Sequence, residues 1–144
     1  MRFTALLLPL LACSAAPQEK PATPREHLGH EVGADFKLAR WKSVCDYFAK
    51  LDASPRVQVS EIGKTTLGAP VILAAISSEA NLKNLDRIRE VQRLLADPRR
   101  VKADDEAKLL EEARAVLFVT CGLHSSEVAA TQMSMELAYD LATK

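Results

Sequence analysis

A chain of 144 residues with 19 Lys and Arg against 19 Asp and Glu carries no formal net charge, which disfavours a module that binds nucleic acid through a basic field. Its 48% hydrophobic content excludes wholesale disorder, and its three cysteines are too few for a disulfide-dense scaffold. What remains is a globular domain, or a piece of one.

Met1 and Arg2 give a positive start, residues 3–12 form an apolar run broken by Thr4 and Pro9, and small residues follow at 13–16. This is the pattern of a signal peptide over 1–16, and the run is too short to span a bilayer. Leu10-Leu11-Ala12-Cys13 also resembles a bacterial lipoprotein cleavage box, so membrane attachment is expected only if Cys13 is lipidated. Either route exports the protein, whether secreted, periplasmic or lipid-anchored. Residues 17–30, with prolines at 17, 21 and 24, read as an exposed tether. Outside the cytoplasm Cys45 and Cys121 could form a disulfide, although each lies in an apolar run where a free thiol packs as a small hydrophobe.

Leu38, Trp41, Val44, Cys45, Phe48 and Leu51 recur at three- and four-residue steps, which predicts an amphipathic helix over 35–51. Val57 and Val59 alternate with polar neighbours, residues 63–68 carry turn chemistry, and 70–76 are nearly all apolar. These features predict a hairpin whose second strand is covered on both faces. Leu82, Leu85, Ile88, Val91 and Leu95 mark a helix closed by Asp97-Pro98, and 103–113 a second, charged one. Residues 115–121 (AVLFVTC) read as a buried strand. A last helix over 127–141 places Ala130, Met133, Leu137, Ala138 and Leu141 on one side. Alternating strands and helices predict an α/β fold, an incomplete mixed sheet with helices on both faces.

The informative junction is 116–127 (VLFVTCGLHSSE), where a strand ends at Gly122 and the chain offers His124 and Glu127 at the mouth of a helix. Ligands of α/β sheets gather outside the carboxyl ends of strands. Zinc accepts an imidazole nitrogen and a carboxylate oxygen at about 2.0–2.2 Å each, so donors on one ion lie about 3–3.5 Å apart. Side chains three positions apart on a helical turn start about 5–6 Å apart at Cβ and can converge from there. The alternative is a helix-start carboxylate favoured by the dipole. A capping box would place Ser or Thr at position 124, which holds His instead. Spacing and placement leave both readings open.

Other candidates are weaker. His27 and His30 with Glu26 and Glu31 form a small cluster that a solvated loop explains. Asp104, Asp105, Glu111 and Glu112 lack an apolar pocket to split their pKa values. Lys64-Thr65-Thr66 lacks the Gly-x4-Gly-Lys pattern of a phosphate loop.

Residues 61–77 (EIGKTTLGAPVILAAIS), followed by His124-Ser-Ser-Glu127 after an apolar strand, resemble the opening hairpin and first zinc motif of the zinc carboxypeptidases. Residues 33–38 and 74–98 further resemble a secreted bacterial branch of that family. The resemblance implies that residues 31–144 are the N-terminal part of a truncated catalytic domain. It implies one zinc ion held by His124 and Glu127, with a third ligand and the general base beyond Lys144. A peptide or protein substrate is implied, with release of C-terminal residues by zinc-activated water. The 144-residue chain by itself is expected to be inactive. Ser126 stands where many members carry Arg, which puts a usual substrate contact in doubt. Two alternatives remain: a zinc deacylase of N-acyl amino acids, whose motif usually has Gly where Ser125 stands, and a non-catalytic exported remnant.

Overall fold

The computed structural model describes residues 20–144. The expected signal peptide over 1–16 and the Cys13 box lie outside the described residues.

The described part of the expected tether is folded. Helix α1 (Pro24–Leu28) opens on a reciprocal cap, in which the Glu26 amide donates to Thr23 Oγ1 at 3.2 Å and the Thr23 amide donates to Glu26 Oε2 at 2.8 Å. Pro24 is buried, and the Tyr47 hydroxyl donates to the Ala22 carbonyl at 3.1 Å. Helix α2 is Trp41–Leu51, shorter than the periodicity of 35–51 suggests. Gly33 and Phe36 adopt positive φ (76° and 60°), and Arg40 is extended at the helix start. Leu38 is therefore outside the helix and largely exposed. An apolar residue can fit a helical period by chance, but a helix cannot pass through positive φ.

Strands β1 (Val57–Lys64) and β2 (Pro70–Ile76) form the expected hairpin, antiparallel with Val57 opposite Ile76, Val59 opposite Ala74 and Lys64 opposite Pro70. The register shifts between Glu61 and Gly63. Thr65 and Ala69 close the turn, with the Thr65 amide donating to the Ala69 carbonyl at 2.8 Å. Gly68 there takes φ 80°, which glycine adopts without strain. Helices α3 (Glu79–Lys83) and α4 (Leu85–Leu95) follow, then short 3₁₀ turns, α5 (Glu106–Glu112) and α6 (Val128–Thr143).

One core joins α2, the hairpin and α6: Val44, Tyr47, Phe48, Leu51, Val57, Met135, Ala138 and Ala142 are buried together, with Val59, Ile72, Ala74 and Ile76 packed on them. Alternate β2 residues therefore serve this core, while on the other face Val71 is 37% exposed and Leu73 and Ala75 are half-buried, so that face is only partly covered. The face of α6 also differs from expectation: Gln132, Met135, Ala138, Tyr139 and Ala142 point inward, whereas Met133 and Leu141 are exposed. This helix is apolar on most sides, so its periodicity selects no single face. A smaller centre unites α4 and α5, where Val91 and Leu109 are buried and Arg87 pairs with Glu112 at 2.6 Å.

Two expectations about the sheet need correction. Among the described residues it is two-stranded and antiparallel, not mixed. Residues 115–121 have no regular secondary structure and belong to no strand, and Leu117 and Phe118 are 88% and 72% exposed. A β-branched, apolar run favours a sheet interior, yet a strand exists only where a partner meets its backbone groups. The fold is thus a partial α/β arrangement.

Candidate metal centre

The chain reaches the candidate pair along the exposed run 115–121 and bends at Gly122, whose φ is 93°. Residues 124–127 make a turn closed by the Glu127 amide, which donates to the His124 carbonyl at 3.0 Å. Helix α6 begins at the next residue. The pair therefore meets across a turn before the helix and not along a helical turn.

That geometry brings His124 and Glu127 together. The carboxylate accepts twice from one residue: from the His124 imidazole Nδ1 at 2.8 Å and from the His124 backbone amide at 3.3 Å. An ion taken between the two groups would replace the hydrogen of this contact, because a ring nitrogen binds a metal only through a lone pair free of its proton. Both side chains are exposed, at 66% and 56%, open to a ligand from solvent. Glu127 flanks α6 without a side-chain cap bond to it. A carboxylate that served only the helix would be expected to accept from amides of the first turn, whereas this one turns back to the histidine.

Zinc chemistry fits these two donors, since an imidazole and a carboxylate already at 2.8 Å need to open only slightly to share an ion. The set is incomplete, however. Among the described residues no group of three or more His, Cys, Asp or Glu is placed to hold a metal ion.

The other candidates resolve into structural contacts. His27 has both ring nitrogens engaged, Nε2 with the Ser43 carbonyl at 2.9 Å and Nδ1 with Lys50 Nζ at 3.1 Å. His30 Nδ1 meets the Glu31 carbonyl at 2.9 Å, and Glu31 pairs with Arg25. Glu26 is the α1 cap, and hydrogen bonds from the Thr23 backbone and hydroxyl hold its carboxyl below the usual range. Glu112 is committed to Arg87, and Asp104 and Asp105 are exposed in a 3₁₀ turn. Lys64, Thr65 and Thr66 belong to the hairpin and its turn. Cys45 and Cys121 are both free and half-buried, and burial pushes the Cys45 thiol up.

A hollow of about 570 Å³ between the ends of α2 and α6 is lined by Lys50, Arg56 and Thr143, but neither His124 nor Glu127 lines it. Of its cations, Lys50 meets His27, Arg56 Nη2 donates to the Leu141 carbonyl at 3.2 Å, and Lys20 Nζ lies 5.3 Å from the centre of the Tyr139 ring.

Sequence reasoning missed one feature of the site. A Cβ on Gly122 would stand 2.8 Å from Thr131 Oγ1, on the first turns of α6. A glycine ending an apolar run signals a turn or a close approach, but nothing in the sequence names Thr131 as its neighbour.

A model of the zinc carboxypeptidase family matches residues 44–144, a span that includes the core helices, the hairpin and the His124–Glu127 turn. Searches of curated proteins and of solved structures return no significant match.

Proposed function

Since the chain belongs to the zinc carboxypeptidase family, we propose that His124 and Glu127 are two of the protein ligands to one zinc ion in a metallocarboxypeptidase that acts on peptides or proteins. The observation that carries this reading is the imidazole–carboxylate pair held at 2.8 Å on an exposed turn before α6. When bound, such an ion lowers the pKa of its water to about 7 and polarises a carbonyl oxygen.

The roles of the chain's own residues follow from the turn. Without metal, Glu127 orients the imidazole through its contact with Nδ1, and its second oxygen accepts from the His124 backbone amide; with zinc bound, Nδ1 and the carboxylate would be the two donors. Residues 31–144 are read as the N-terminal part of a larger catalytic domain, to which a third ligand and the general base would belong. The exported location rests on residues 1–16 alone.

Two donors bind zinc weakly, so the isolated 144-residue chain is read as a weak metal binder that hydrolyses nothing. Calorimetric titration of the chain with Zn²⁺ tests the assignment, with His124→Ala and Glu127→Gln as variants. Each is expected to weaken binding at least about tenfold, the scale of lost metal-site contacts. Equal binding by the parent and both variants would remove the pair from consideration. In a complete domain, a peptide assayed beside an N-acyl amino acid separates carboxypeptidase from deacylase.

A further inference from the structure

Of the five glycines, only Gly122 has a neighbour within 4 Å of the place a Cβ would occupy. That neighbour, Thr131 Oγ1 at 2.8 Å, is closer than a real Cβ contact allows. Gly122 also sits at φ 93°, a conformation L side chains rarely adopt. Two independent features therefore require glycine here. Thr131 is on a well-held element, because Gln132 and Met135 beside it are buried and the Ser134 hydroxyl donates to its carbonyl at 2.7 Å. The contact joins the residue two before His124 to the residue four after Glu127. It thus closes the loop that carries both.

We infer that the close approach of Gly122 to Thr131 is the positioning device of the His124–Glu127 pair. It lets the chain entering the turn pass against the helix leaving it, and so holds the imidazole and the carboxylate face to face. Neither residue touches the ligand; both act through the turn. The inference rests on the zinc reading for its functional meaning, but the geometry it predicts is present without metal.

The test uses the full 144-residue chain, with two readouts: Zn²⁺ affinity by titration, and the ¹⁵N shift of His124 Nδ1, which reports its bond to Glu127 in metal-free protein. Gly122→Ala is expected to weaken Zn²⁺ binding at least about tenfold and to move the ¹⁵N shift, with Trp41 fluorescence unchanged. Adding Thr131→Ala removes the clash but not the φ strain, so it should restore roughly threefold of that affinity. Thr131→Leu crowds the contact from the helix side with Gly122 intact, and should reproduce the loss in both readouts. If Gly122→Ala does not fold, Thr131→Leu alone decides. The inference is overturned if both single variants stay within about twofold of the parent with an unmoved ¹⁵N shift. It is also overturned if only Gly122→Ala shows the loss and Thr131→Ala does not rescue it, because backbone strain would then be the cause. A parent chain that binds no Zn²⁺ would refute the zinc reading instead, and the ¹⁵N shift would still judge the contact.

Discussion

Two leucines separate the observed fold from the one a hydropathy pattern suggests. Leu51 is fully buried in the core that α2 forms with β1 and α6, whereas Leu117 is 88% exposed on the irregular run 115–121. Fully burying a leucine side chain is worth about 1.5–3 kcal/mol, and the cavity left by truncation raises the cost of Leu→Ala to about 2–5 kcal/mol. Leu51→Ala should therefore lower stability by about 3 kcal/mol. Leu117 hides about an eighth of its surface, so Leu117→Ala should cost only a few tenths of a kcal/mol. Urea denaturation read through Trp41, whose Nε1–H donates to the Pro70 carbonyl at 2.9 Å and so reports docking of α2 on the hairpin, measures both. A loss above about 1 kcal/mol for Leu117→Ala, in dilute monomeric protein, would mean that 115–121 is buried after all and that the reasoning from exposure is wrong.

Three further outcomes follow from local contacts. The folded pKa of Glu26 lies below the ordinary value of 4.5, so its contribution to α1 is full above about pH 4.5 and drains away as pH falls through the lowered value. The protection factors of the His27 and Gly29 amides, taken relative to the intrinsic exchange rate at each pH, should fall on that acidification, and Thr23→Ala, by removing half of the cap, should leave a weaker pH response. Burial raises the Cys45 thiol, so iodoacetamide at pH 8 should modify it more slowly than an unstructured peptide thiol, and equal rates would contradict the half-buried placement. Gly68→Ala meets no atom within 4 Å but must adopt φ 80°, so it should cost about 1–2 kcal/mol in urea through backbone strain alone.

How much of this was legible depended on whether a feature is fixed locally. The hairpin was, because the alternation at Val57 and Val59, the glycines at 63 and 68 and the Pro70-led run all act within a few residues. The His124–Glu127 pair was legible as a pair, since a three-residue spacing is short enough for a turn or a helix to close it. Which of the two would do so was not, and the turn prevailed. Leu38 fitted the helical period of α2, but the backbone at Gly33 and Phe36 takes positive φ and the helix starts later. For residues 115–121, hydropathy stated a demand for burial without stating the supply of a partner. The Gly122–Thr131 approach spans nine positions and depends on where α6 lies, which no local pattern encodes.

The dependence on α6 links the site to the core. One helix starts directly after Glu127 and ends in the cluster where Met135, Ala138 and Ala142 meet α2 and the hairpin. Thr131, the post against which Gly122 passes, lies on the first turns of that helix, one turn before Met135. The rotation of α6 about its axis, fixed by which residues the core accepts, thereby sets where the post stands. Because α6 is apolar on most sides, an alternative rotation that buries Met133 or Leu141 would still bury apolar surface. It would, however, turn the Thr131 side chain away from Gly122 and release the turn. Core packing around Met135 therefore selects one of several apolar faces, and the geometry of the His124–Glu127 pair is inherited from that selection.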